Sequence, residues 1–212
     1  MMNTDAGGIR TWEEGALAAI FVLGPSSSGK TTLCDALARD LRLPPSRYIT
    51  EVARTVMKET GFTRNDTYKY EMQAAIMNAQ VKAEMEALQL GDIQAGELRL
   101  LSDRSAVDPI IYASTASTSS ANETRKRLLE SEAFRTVIGT YKRSLFVVLQ
   151  PVSEWIYDDG VRSLEDPWNY VDTLRRFLEE YDIPFWEISE SVKSLVERVA
   201  LTKEYLRLHM SN

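Results

Sequence analysis

Histidine and cysteine are almost absent from this chain, whose 212 residues hold one of each, His209 and Cys34. A single thiol cannot close an internal disulfide. A single imidazole leaves no material for a histidine-rich zinc cluster, and its place near the end of the chain, where termini are usually mobile, speaks against Ser-His-Asp or Cys-His hydrolysis. Cys34 reads instead as a small buried hydrophobe. Long apolar runs are also lacking: none approaches the roughly 18 residues that span a bilayer. The opening MMNTDAGGIRTWEEG has no basic-then-apolar order of the kind that directs secretion, so a soluble, cytoplasmic protein is expected. Positive charge is in deficit, with 25 Lys and Arg against 31 Asp and Glu and a net charge of −6. That balance offers no general attraction to nucleic acid or anionic lipid, and neither nucleic-acid binding nor membrane insertion is expected.

What is present is the composition of an ordinary globular protein, 44% apolar and 26% charged. The length suits one full-sized α/β domain, expected over residues 16–208, after a flexible leader at 1–15 and before a short tail at 209–212. Ala16 to Leu23 is a continuous apolar run, as in a strand buried on both faces of a parallel sheet. Leu33, Ala36, Leu37 and Leu41 have helical spacing and stop at Pro44-Pro45. Tyr48 to Val52 reads as a second strand, followed by a helical stretch to Lys58. Asp66 to Leu90 reads as a long helix with Met72, Ile76, Ala79 and Ala83 along one side. Further strands are expected at Leu98 to Leu101, Leu145 to Leu149 and Ile183 to Ile188, with helices near Tyr170 to Tyr181 and Val192 to Leu208. The small polar run Ala113 to Asn122 reads as a mobile loop, or as a segment that covers a substrate or is phosphorylated. Strands alternating with helical crossovers imply a five-stranded parallel sheet wrapped on both sides, a three-layer sandwich with its ligand at the carboxyl ends of the strands.

Gly24-Pro25-Ser26-Ser27-Ser28-Gly29-Lys30-Thr31 fits G-x-x-x-x-G-K-[ST] in full and lies between a buried strand and a helix. Small residues let successive backbone N–H groups curl around a phosphate, and the following helix presents its positive end to the same anion. Lys30 supplies charge to the β- and γ-phosphates, the Thr31 hydroxyl can ligate Mg²⁺, and Thr32 continues the loop into the helix. ATP or GTP with Mg²⁺ is therefore the expected cofactor.

Other segments narrow the choice. Ile49 to Arg54 (ITEVAR), Gln73 and Gln80 on the long helix, Leu101 to Ser105 (LSDRS) and Trp155 to Leu164 (WIYDDGVRSL) follow one another in an order that resembles the ribosylnicotinamide kinase domain of bacterial NadR and the eukaryotic AAA-domain ATPases grouped with it. The D-R-S triplet at 103–105 is similar to the D/E-R-S of deoxynucleoside kinases. The resemblance implies a P-loop NTPase fold with a lid at about 153–168. It implies that Glu51 receives the proton of an acceptor hydroxyl and Asp103 stands on the Mg²⁺ side, although the two roles could be exchanged. Glu51 also fits an ordinary i,i+3 pair with Arg54, and Asp103 an ordinary helix cap.

Arg54 and Arg104 either orient substrate through their rigid forks of donors or lie on the surface. Trp155 and Tyr157 either stack on a flat ligand ring or pack the lid onto the body. Asp158-Asp159 is a substrate contact or a solvated turn, and Arg162 occupies the place of a lid arginine in nucleotide-type kinases. Gln73 and Gln80, seven residues apart, share a helix face and either reach the acceptor or meet solvent. The base is expected near Ser189 to Val192. Two functions follow: a kinase that passes the γ-phosphate to a hydroxyl of a nucleoside-like acceptor, or a nucleotide-dependent binding protein or weak NTPase. No N-K-x-D motif marks a regulatory GTPase, which favours the first.

Overall fold

The computed structural model describes residues 19–90, 98–116, 118–155 and 166–211. Five strands, β1 (Ala19–Leu23), β2 (Tyr48–Ile49), β3 (Leu100–Asp103), β4 (Leu145–Leu149) and β5 (Phe185–Ile188), form one sheet in the order β2-β3-β1-β4-β5. Every pairing is parallel, with Ile20 opposite both Leu101 and Leu145. A parallel sheet needs covered faces, and β1 shows how they are supplied. Ala19, Phe21 and Leu23 point into one apolar layer and Ile20 and Val22 into the other, all fully buried.

The layer around Ile20 and Val22 is closed by α1 (Lys30–Asp40) and α8 (Leu195–Ser211), through Leu33, Cys34, Leu37, Val199 and Leu206. The opposite layer is closed by α3 (Tyr70–Gln89), α4 (Asp108–Thr115), α5 (Ala121–Leu129), α6 (Glu132–Tyr141) and α7 (Pro167–Glu180). At its centre Phe21 stacks on Phe146, their centroids 4.9 Å apart, with Tyr141 edge-on to both. A smaller cluster of Ala53, Val56, Met72 and Ile76 joins α2 (Val52–Thr60) to α3. No helix among the described residues is long and apolar enough to cross a membrane.

Several local expectations change. The second strand is only two residues long, because β3 pairs with Tyr48 and Ile49 alone and Glu51 already serves as the N-cap of α2. The run Ala113 to Asn122 is helical at both ends and a connection between them: α4 continues through Thr115 and α5 starts at Ala121. Its hydroxyls are satisfied within the helix, Ser114 bonding to the Ile110 carbonyl and Thr115 to that of Ile111, so small polar residues do not break it. His209 is buried in the last turn of α8, with Nε2 2.8 Å from the Arg143 carbonyl oxygen, rather than loose at a terminus. The expected leader at 1–15 and most of the expected lid lie outside the described residues.

Candidate active site

The loop after β1 takes its path from two close approaches. At Gly24 a Cβ would stand 2.7 Å from the Leu149 carbonyl oxygen, and at Gly29, with φ +88°, it would stand 3.1 Å from Arg198 Nη1. Only glycine fits the first without moving backbone, and it fits the second without strain. Ser27 also has positive φ, +61°, so left-handed residues recur just before α1, the kind of backbone that forms anion-binding nests. Gly29 caps that helix, whose first residue is Lys30.

A cavity of about 700 Å³ opens over this loop. Of the residues expected at the site, Ser26, Ser27, Gly29, Lys30, Thr31, Thr32, Glu51, Arg54, Arg104 and Trp155 line it. Gly24, Pro25 and Ser28 form the loop behind that wall, where Lys30 Nζ donates to the Pro25 carbonyl at 2.5 Å. Burial pushes the Lys30 ammonium down to about 7, with repulsion from Arg104 adding to it and Asp103, Asp108 and Glu51 opposing. A phosphate held in the loop would favour the charged form again.

Asp103 stands at the carboxyl end of β3, 1% exposed, and its Oδ2 accepts the Thr31 hydroxyl at 2.5 Å. Its Oδ1 is buried and has no hydrogen-bond partner. Burial raises the carboxyl, against the pull of Arg104, Lys30 and Thr31. A buried carboxylate with one free oxygen beside a threonine hydroxyl is the donor set of a hard cation. Among the described residues there is no group of three or more His, Cys, Asp or Glu that could hold a metal by themselves. That combination fits Mg²⁺, which is usually held by one or two protein oxygens, phosphates and its own waters.

Glu51 faces the cavity from the start of α2. Its Oε1 accepts Arg104 Nε at 3.2 Å and its Oε2 accepts Arg54 Nε at 2.9 Å. The i,i+3 pair with Arg54 is thus present, joined by a second guanidinium from 53 residues away in sequence. Arg104 is not a surface arginine. It is 5% exposed, sits at φ +87°, and passes its Nη1 to Asp108 Oδ1 at 2.8 Å. Asp108 also accepts the Tyr170 hydroxyl at 2.8 Å and the Ser105 amide at 3.2 Å. Its place four residues after Arg104 was the available signal for this residue, which sequence reasoning did not single out.

Gln73 does not line the cavity; its amide donates to the Thr67 carbonyl at 2.6 Å at the entry to α3. Gln80, on the same helix face, is buried against Ser102 and Glu84. Tyr157, Asp159 and Arg162 lie outside the described residues. The residue most plainly missed is Arg198 on α8. It is 2% exposed, holds the Ser28 carbonyl with Nη1 at 2.8 Å and the Val192 carbonyl with Nε at 2.7 Å, and lies 4.7 Å over the Trp155 ring. Its Nη2 is buried without a partner. The Lys193–Glu154 ion pair, 2.6 Å, borders the same end of the cavity.

A family described as an AAA domain matches residues 19–194. No curated protein matches the chain. Among solved structures, NadR protein in complex with NR superposes with a TM-score of 0.69 at 22% identity, over 93% of this chain and 52% of that one. The chain therefore spans about half the length of that protein. Deoxyadenosine kinase from M. mycoides with bound dATP superposes with a TM-score of 0.53 at 18% identity, over 89% of this chain and 99% of that one. At such identities the likeness is one of fold. Taken with the match across most of its length, the phosphate loop and the sheet order leave one assignment: the chain belongs to this AAA-domain family and is a P-loop protein with the kinase-like fold of NadR.

Proposed function

We propose that the chain is a phosphotransferase, which binds a purine nucleoside triphosphate with Mg²⁺ and passes the γ-phosphate to a hydroxyl of a compact, nucleoside-like acceptor. The observation that carries this reading is the pairing of two unlike carboxylates: Asp103, buried against Thr31 with one unpartnered oxygen, and Glu51, facing the cavity between two guanidinium groups. The NadR and deoxyadenosine kinase structures hold NR and dATP, and both suit the proposed ligand class.

In this mechanism Lys30 and the amides of the loop neutralise the β- and γ-phosphates, while Thr31 and Asp103 would hold the Mg²⁺. The cation supplies charge neutralisation and alignment of the phosphates when bound. Glu51 is the better placed of the two acids to accept the acceptor proton, because it lines the cavity whereas Asp103 lies behind Thr31. Its two arginine bonds fix the carboxylate in direction, and a carboxylate retains further lone pairs for a hydroxyl. Arg54 and Arg104 orient it and the acceptor. The purine ring is assigned to the Trp155 and Arg198 end of the cavity. Tyr157 and Asp159 as substrate contacts, and Arg162 as a lid arginine that meets the transferring group, complete the proposal on the strength of the family resemblance.

A screen of nucleosides, vitamins and sugars for acceptor-stimulated release of ADP or GDP tests the reading. One acceptor class should stimulate turnover, and Glu51→Gln should then lose about two to four orders of magnitude in transfer with nucleotide affinity little changed. Retained nucleotide binding with no stimulation by any acceptor would replace the kinase with a nucleotide-dependent binding protein or weak NTPase.

A further inference from the structure

Glu84 is a carboxyl group in the middle of an apolar layer, 1% exposed and not part of the cavity lining. Its Oε1 accepts Gln80 Nε2 at 3.0 Å, and its Oε2 accepts the Tyr141 hydroxyl at 2.7 Å. Neither partner stops there. The Gln80 amide also donates to Ser102 Oγ at 3.0 Å, and the Tyr141 oxygen accepts the Ala106 backbone N–H at 2.9 Å. Two helices on one face of the sheet, α3 and α6, thus hold both ends of the short turn from Ser102 to Ala106.

That turn carries Asp103 and Arg104. It needs holding, because Arg104 has a left-handed backbone that a non-glycine side chain resists, and such a residue persists only where its surroundings over-determine it. Inside the turn the Arg104 amide donates to the Val22 carbonyl at 3.0 Å, which ties it to β1. Outside it, the strand pairing of Ser102 and Asp103, the bonds of Arg104 to Glu51 and Asp108, and the α3 and α6 network anchor it together. Apolar residues of similar size would fill the layer without the desolvation that raises Glu84 to about 8, so the carboxyl is accounted for by its bonds and not by its packing.

We infer that Glu84, acting through Gln80 and Tyr141, is a positioning residue that sets the Ser102–Ala106 turn, and with it the Asp103 carboxylate, against Thr31 of the phosphate loop. The bracing of the turn stands on the geometry alone; its effect on a metal–nucleotide complex rests on the function proposed above.

The two parts are separable by experiment on the full chain. Tyr141→Phe keeps the ring that packs on Phe21 and Phe146 and removes only the hydroxyl, and Glu84→Gln is a second variant of matched shape. Val137→Ala, one turn earlier on α6 and equally buried, is the control for general loss of core packing. Hydrogen exchange at Ala106 should be about tenfold faster in Tyr141→Phe than in Val137→Ala, because the buried amide loses its tyrosine acceptor and keeps only the Glu84 carboxylate. The gain in affinity that Mg²⁺ gives for a fluorescent N-methylanthraniloyl ATP, compared with EDTA, should fall about tenfold in both network variants and stay within about twofold in the control. Exchange at Ala106 that matches the control, or a Mg²⁺ gain untouched in both network variants, overturns the inference. If the wild-type chain shows no Mg²⁺ gain at all, the proposed function fails, and the exchange result alone decides whether the turn is braced.

Discussion

Helices α3 and α8 lie on opposite faces of the sheet, and both turn polar side chains toward the protein interior. On α3 these are Gln73, Gln80 and Glu84; on α8 they are Arg198, Thr202 and His209. Each helix reaches one of the two loops that border the cavity, α3 the turn after β3 and α8 the phosphate loop. They differ in how completely their polar groups are used. The α3 network is closed, since the side-chain oxygens of Glu84 find partners within the protein. Arg198 lines the cavity, and its guanidinium keeps one buried nitrogen without a partner. A closed network can only hold its loop in place, whereas an open one can hold its loop and also meet an acceptor on a ligand.

The pH dependence of stability separates the two most strongly. Glu84 is raised from 4.5 in the unfolded chain to about 8 in the fold, so between those values the native state binds the extra proton. Stability from this group is therefore greatest at low pH and is lost as pH rises toward 8. Urea unfolding at a series of pH values should show wild type losing up to about 1.4 kcal/mol per pH unit relative to Glu84→Gln between pH 5 and 8, with the difference level above that. Identical slopes would mean that the carboxyl is better solvated than its burial indicates.

Arg198→Ala comes next. It removes charged hydrogen bonds to two carbonyls and the contact with Trp155, and should cost about 2–3 kcal/mol of stability at any pH from 6 to 9. Titration calorimetry should show nucleotide affinity down by about tenfold or more, because the proposed function seats the purine beside Arg198. A loss of stability with unchanged affinity would make α8 a purely structural brace, like α3. The smallest effect belongs to the surface of the same helix. Lys203 pairs with Asp40 at 2.6 Å with both side chains nearly half exposed, and Lys203→Ala should change thermal unfolding by less than about 0.5 kcal/mol. A larger change would show that α8 is held to α1 by its surface charges rather than by Arg198 and the apolar layer.

The contrast also explains what could be read from the sequence. The apolar run at Ala19–Leu23, the loop from Gly24 to Thr31 and the strand Leu145–Leu149 are legible because each is a local pattern with one interpretation. Glu51 and Asp103 could be placed near one another because parallel strands end on the same side. On α3, Gln73 and Gln80 stood out as a pair but their burial did not, while Glu84 on α3 and Arg198 on α8 were hidden by the apolar stripes beside them, as Leu195 and Val199 flank Arg198. Helical spacing shows which side a residue occupies, but not that a polar side chain there will find partners across the sheet. The helices between β3 and β4 were missed for a different reason. Their start signals are short, such as Ser131, whose hydroxyl accepts the Phe134 amide at 3.2 Å, and the serine- and threonine-rich run before them resembles a loop in composition.

The bond from Arg198 to the Ser28 carbonyl joins residues 170 positions apart, and the Thr31–Asp103 bond joins residues 72 apart. Contacts of such separation form late in folding, since chain entropy must be lost before they can contribute. As the polypeptide is synthesised, the phosphate loop emerges long before Arg198, the residue that braces it from α8. A chain interrupted before α8 would carry an intact loop motif with nothing to hold the Ser28 carbonyl. Nucleotide would then stabilise a chain that includes α8 and not one that stops before it, by RT ln(1 + [L]/Kd).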